Sequence, residues 1–104
     1  MTLYHFVAAS QAFLTVEEPL EEVLRERRRN YGETGKPIDF WLVERPAFLE
    51  RQELATEMAA VPRPAAAVVS TDPKVITFLK LRLEFVQRGQ FDAADQDTAL
   101  ASLA

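Results

Sequence analysis

Hydrophobic and polar positions change period several times along this chain, and each change marks an element. Residues 2–9 alternate: Leu3, His5, Val7 and Ala9 share one face, and Tyr4, Phe6 and Ala8 share the other. Both faces are largely apolar, which predicts a central strand covered on both sides. Phe13 and Leu14 read as a short extended continuation. The spacing then becomes helical over Glu18–Tyr31, with Leu20, Val23, Leu24 and Tyr31 as the buried stripe. Thr15 and Glu18 have capping-box spacing while Pro19 suits a first turn, so two start signals compete. Gly32 and Gly35 end the helix.

Alternation returns over 38–44. Ile38, Phe40 and Leu42 point one way; Asp39, Trp41 and Val43 point the other. An acid in such a run must find a partner or reach water, because burying it unpaired costs several kcal/mol. Pro46 opens a second helical segment with Phe48, Leu49, Leu54 and Met58 as its apolar side, ending before Pro62-Arg63-Pro64. Ala65–Ser70 is small and apolar throughout and reads as a third strand. Asp72 is a helix N-cap with Pro73 in the first turn. Val75, Ile76, Leu79, Leu83 and Val86 carry this helix to about Arg88, with Gly89 as its stop; a fourth strand over Phe85–Phe91 is the competing reading. Residues 92–104 are rich in Ala and Asp and lack strong periodicity. The chain thus divides into one domain over 1–91 and a flexible C-terminal tail over 92–104.

Composition then removes several chemistries. The net charge is -4 and the pI about 5.0, which argues against nucleic acid as a partner. There is no cysteine and only one histidine, His5, so the common zinc sites cannot be built. Asp92, Asp95 and Asp97 lack EF-hand spacing, and Gly32, Gly35 and Gly89 form no phosphate loop. Ser10, Ser70 and Ser102 have no histidine partner in a recognisable pattern. No apolar run approaches the ~20 residues of a membrane helix, and Met1–Val7 lacks the basic start of a leader. Direct membrane insertion is therefore not expected. Glu17, Glu18, Glu21 and Glu22 precede Arg25, Arg27, Arg28 and Arg29, an order that complements the helix dipole. That block reads as a charge-laced exposed face, with Glu21 and Arg25 spaced to pair.

Two features remain as contact candidates. One is Asp39-Phe40-Trp41. The other is Arg82, four residues after Phe78 and seven after Val75, which places it on or beside the helix's apolar stripe. Asp39, Phe40 and Arg82 are expected to converge at one surface patch, since arginine and aromatic side chains are favoured at interfaces. The structural alternative is a buried Asp39–Arg82 ion pair.

Five blocks occur here in a recognisable order: Glu18-Pro19-Leu20-Glu21-Glu22-Val23-Leu24-Arg25-Glu26-Arg27, Ile38-Asp39-Phe40-Trp41-Leu42-Val43, Pro46-Ala47-Phe48-Leu49, Ser70-Thr71-Asp72-Pro73 and Leu79-Lys80-Leu81-Arg82-Leu83-Glu84. In these the chain resembles the accessory-protein family of the magnesium-protoporphyrin IX monomethyl ester oxidative cyclase of cyanobacteria and plastids, over residues 3–91. The resemblance implies an α+β fold, an antiparallel sheet of three to four strands flanked by about three helices. It implies a non-catalytic accessory or assembly factor in chlorophyll biosynthesis, with no cofactor of its own. The implied partner is the catalytic cyclase subunit, which forms protochlorophyllide, with other chlorophyll-biosynthesis enzymes as further partners. The implied location is cytoplasmic or stromal, held at the membrane through that complex. The family positions tied to function fall on Asp39, Phe40 and Arg82.

Two rival readings stand beside this one. A tetrapyrrole carrier would use Tyr4, Phe6, Phe40 and Trp41 around the ring, with His5 as axial ligand to magnesium. A cofactor-free enzyme would use Asp39 as its base, which requires apolar, sealed surroundings.

Overall fold

The computed structural model describes residues 1–103. Its strands are β1 (Thr2–Ser10), β2 (Phe40–Glu44), β3 (Ala65–Ser70) and β4 (Gln87–Ala93). They form one sheet in the order β2-β3-β1-β4, with every neighbouring pair antiparallel. The two strands with apolar residues on both faces take the middle, as their composition requires. Val68 of β3 lies opposite Val7 of β1 and Leu42 of β2.

Each face of the sheet has its own core. Helices α1 (Leu20–Thr34) and α3 (Pro73–Leu83) cover one face. There Leu20, Leu24, Tyr31, Val75, Ile76, Leu79 and Leu83 pack on Val7, Ala9, Phe40, Ala66 and Val68. The segment between β2 and β3 covers the other face, setting Phe48, Leu49, Leu54, Met58 and Val61 against Tyr4, Phe6, Ala8, Val43, Ala67, Val69 and Phe91. Phe48 stacks on Phe91 at 4.1 Å and meets Phe6 edge-on at 4.8 Å.

Several local expectations change. Phe13–Glu17 is a π-helical turn rather than extended chain, and the Thr15 hydroxyl donates to the Gln11 carbonyl at 2.7 Å instead of capping α1. Helix α1 runs through Gly32 and stops at Gly35, whose φ of 72° only glycine adopts without strain. Glu21 pairs with Arg28 at 3.2 Å rather than with Arg25. The segment after Pro46 makes two 3-10 turns, Ala47–Glu50 and Gln52–Leu54, before the short helix α2 (Ala55–Met58). Arg51 breaks the run with extended backbone, which no periodicity argument registers.

Helix α3 starts as expected, with the Lys74 N–H donating to Asp72 Oδ1 at 2.9 Å. It ends at Leu83, not Arg88. Glu84 turns the chain at a φ of 55°, and Lys80 Nζ donates to the carbonyls of Glu84 (3.1 Å) and Val86 (2.8 Å). The segment beyond is β4, the strand reading of Phe85–Phe91. Gly89 is no helix stop. It sits opposite Phe6, where an added Cβ would lie 2.5 Å from Phe6 Cζ.

Residues 92–103, read as a frayed tail, are folded onto the sheet. Ala93 ends β4, and α4 (Gln96–Ala99) is capped by Asp95, whose Oδ1 accepts the Thr98 N–H at 2.8 Å. Ala93 and Ala99 are buried; Pro46 pairs with Ser102, and the Leu103 N–H donates to the Arg45 carbonyl at 2.8 Å. Two buried alanines in a four-residue helix and a strand end leave no amphipathic signature. Ala104 lies outside the described residues.

Candidate functional site

The junction of β2, β3 and α3 is tied by Ser70, the last residue of β3. This buried hydroxyl donates to the Asp39 carbonyl at 2.8 Å and accepts the Asp72 N–H at 2.9 Å. Its polarity is fully used, as burial demands. The Thr71 N–H also donates to the Asp39 carbonyl, at 3.2 Å. The backbone of Asp39 is thus fixed although the residue lies one position before β2.

Outside the pleat, the Asp39 side chain turns toward α1. The Tyr31 hydroxyl donates to Asp39 Oδ1 at 3.1 Å, and Lys36 Nζ donates to the same hydroxyl oxygen at 3.3 Å. The Lys36 ammonium stands 3.9 Å from Asp39 Oδ2, 3.8 Å from Asp72 Oδ2 and 4.5 Å from the Tyr31 ring centre. The Tyr31 hydrogen bond first, and then the neighbouring carboxylates, raise the Lys36 pKa above its ordinary value.

Phe40, next in sequence, is sealed. Its exposure is 0%, and the Tyr31 ring meets it edge-on at 5.2 Å. From Tyr31 the arrangement continues along α1. The Arg27 guanidinium lies 5.8 Å from the Tyr31 ring centre and 5.3 Å from that of Phe78 on α3. Arg27, Phe78 and Arg82 line one groove of about 500 Å³ between α1 and α3, together with Val23, Glu26 and Asn30.

The three sequence-selected residues therefore hold different positions. Asp39 keeps 21% side-chain exposure, Arg82 is exposed, and Phe40 lies beneath the surface. Among the described residues Asp39 and Arg82 form no ion pair. They are connected through Tyr31, Arg27 and Phe78 along the helical face rather than by direct contact. Phe40 does not reach that surface, because the start of an edge strand lies directly under α1.

Sequence reading missed the Tyr31 hydroxyl, Lys36, Ser70 and Arg27 as parts of this arrangement. Arg27 and Tyr31 are four apart on one helix, and Lys36 and Asp39 three apart in the following turn; these spacings were the available signals. The carrier set is divided by the sheet: Tyr4, Phe6 and Trp41 belong to one face, Phe40 to the other. Burial, with a further contribution from Arg88, lowers the pKa of His5. Asp39 meets a hydroxyl and an ammonium, not the apolar enclosure a base would require.

Comparison with known proteins agrees over nearly all of the chain. Residues 2–93 match the family model described as Ycf54 protein. A "Ycf54-like protein" of Synechocystis sp. PCC 6803 is 54% identical over 93 residues, covering 89% of this chain and 70% of that protein. The Arabidopsis thaliana "Protein YCF54, chloroplastic" is 46% identical over 102 residues, covering 97% of this chain and 47% of the plant protein. The crystal structure of Ycf54 from Thermosynechococcus elongatus superposes with a TM-score of 0.91 at 55% identity, over 99% of this chain and 96% of that one. The structure of Ycf54 from Synechocystis sp. PCC6803 gives 0.92 at 50% identity, over 100% and 99%. The chain belongs to the Ycf54 family of cyanobacteria and chloroplasts.

Proposed function

We propose that this protein is a non-catalytic accessory factor of the magnesium-protoporphyrin IX monomethyl ester oxidative cyclase, acting by binding the catalytic subunit. Asp39 and Arg82 are the polar contacts in this reading. Phe40 supports Tyr31 from below and thereby sets the position of the Asp39 carboxylate. The observation that carries it is the placement of Asp39 and Arg82 at the solvent-facing side of the α1/α3 layer, joined through Tyr31, Arg27 and Phe78. Charged groups flanking a half-exposed ring are the chemistry of a protein contact. The cyclase itself comes from the sequence resemblance. Members in cyanobacteria and a chloroplast fit a task in making chlorophyll.

No helix among the described residues is long and apolar enough to cross a membrane. In the proposed arrangement the protein lies in the cytoplasm or stroma and reaches the thylakoid surface through the cyclase subunit, with other chlorophyll-biosynthesis enzymes nearby. Affinity purification of the tagged chain from a chlorophyll-making cell tests this. The catalytic subunit is expected in the eluate; its absence while other proteins elute specifically overturns the assignment.

A further inference from the structure

Helix α3 presents an unusual outer surface. At helical spacing Lys74, Phe78, Leu81 and Arg82 fall within one sector about 100° wide, beside the buried stripe. Phe78 is 42% exposed, Leu81 is 77% exposed, and Phe85, just past the helix end, is 81% exposed. Among the described residues these are three of the eight large apolar side chains left in water. Large apolar groups gathered on one face mark a contact rather than chance exposure.

The helix itself carries only positive charge, with carboxylates at its borders: Glu84 follows its last residue and Glu26 lines the far side of the groove. Helix α3 carries Lys74, Lys80 and Arg82 and no carboxylate, although the chain as a whole is -4. Lys80 is engaged by two carbonyls, while Arg82 has no carboxylate within ion-pair distance among the described residues. Across the groove, Glu26 is held by Arg29. Arg27 lays its guanidinium between the Tyr31 and Phe78 rings on the floor of the groove.

We infer that the groove between α1 and α3, with the ridge of Phe78, Leu81 and Phe85, seats an amphipathic helix of a partner polypeptide that brings a carboxylate to Arg82. This rests on the partner-binding reading above and names the chemistry of the bound segment. A helix laid along the groove would bury an apolar stripe at i, i+3, i+4 and i+7, and Phe78, Leu81 and Phe85 offer it an apolar surface flanking Arg82. The carboxylate sets register, because an arginine between apolar anchors rejects a neutral segment that leaves it desolvated and unpaired.

The test replaces Leu81 by the photoreactive p-benzoylphenylalanine in the full chain, expressed in a cyanobacterium, with the same residue at Ile38 as a second probe beside Asp39. Irradiation and mass spectrometry identify the attached segment. The expected adduct at position 81 is one helical segment with apolar residues at i, i+3 or i+4, and i+7 and at least one Asp or Glu. Arg82→Glu is expected to cut its yield about tenfold, and changing that carboxylate to Lys in the partner is expected to restore it. Thermal melting of Arg82→Glu verifies folding. Attachment to lipid alone, to a segment without a carboxylate, or to nothing at position 81 overturns the inference, whatever Ile38 captures. An acidic helix from another protein at position 81, with no cyclase captured from either probe, supports the inference and removes the cyclase assignment. Capture of the cyclase only from Ile38 does the reverse.

Discussion

The Tyr31 hydroxyl donates to Asp39 Oδ1 at 3.1 Å, so one hydrogen bond joins the last turns of α1 to the residue that leads into β2. The Tyr31 ring is buried against Phe40 while its hydroxyl reaches a partly exposed carboxylate. A single side chain therefore couples the core to the candidate contact surface.

Tyr31→Phe keeps the ring and removes the hydrogen bond. Stability is expected to fall by about 1 kcal/mol, read as a lower urea midpoint with an unchanged slope. Binding of the cyclase subunit is expected to weaken as Asp39 loses its orientation. Unaltered binding would show that the carboxylate needs no positioning by α1.

Arg82→Ala separates a contact from a structural role. Arg82 is exposed and has no ion-pair partner among the described residues. Its removal is expected to change stability by less than about 0.5 kcal/mol while capture of the catalytic subunit falls. A loss of about 3–5 kcal/mol would instead reveal a buried pair.

Two glycines should respond in opposite directions. Gly89→Ala drives a methyl into the buried Phe6 ring, 2.5 Å from Cζ, and is expected to cost about 1–3 kcal/mol. Gly32→Ala meets nothing within 4 Å and lies inside α1, so a gain of about 0.5–1 kcal/mol is expected. Chemical denaturation of both variants checks the pair.

His5 gives a pH dependence of known sign. Burial, then Arg88, lowers its pKa below the ordinary 6.5, with Asp72 opposing. The unfolded chain therefore takes up this proton first as pH falls. The stability is fully present above pH 6.5 and is lost as pH drops through the lowered folded value. His5→Gln is expected to flatten this component of the denaturation midpoint between pH 7 and 5, roughly the window in which an ordinary histidine titrates.

Elements whose residues carry a clear period were legible. The alternation of 2–9, the apolar run 65–70, the stripe of Leu20, Leu24 and Tyr31, and the Asp72-Pro73 start all appear where expected. The segment 84–93 was harder because Leu83 and Val86 continue a helical spacing. What decides it is tertiary: Lys80 holds the turn, and Gly89 admits Phe6. The secondary structure of 92–103 was not legible either, since the buried Ala93 and Ala99 belong to segments too short and too small-sided to show a period. At the site, the sequence left exposure of Arg82 and a buried Asp39–Arg82 pair as alternatives; the structure exposes Arg82 and gives Asp39 the partners Tyr31 and Lys36. The burial of Phe40 was not legible, because the alternation of β2 fixes which face it takes but not that α1 covers it.

The strand order has a consequence for synthesis. Of the four strands β1 leaves the ribosome before the others, yet its two neighbours are β3 and β4, the last of them to be made. No hairpin can shelter it early, and it is apolar on both faces. Pairing of this kind is slow to form, and an unpaired apolar strand is prone to aggregate. Nascent chains arrested before Gln87 should therefore depend on chaperones far more than the finished protein does.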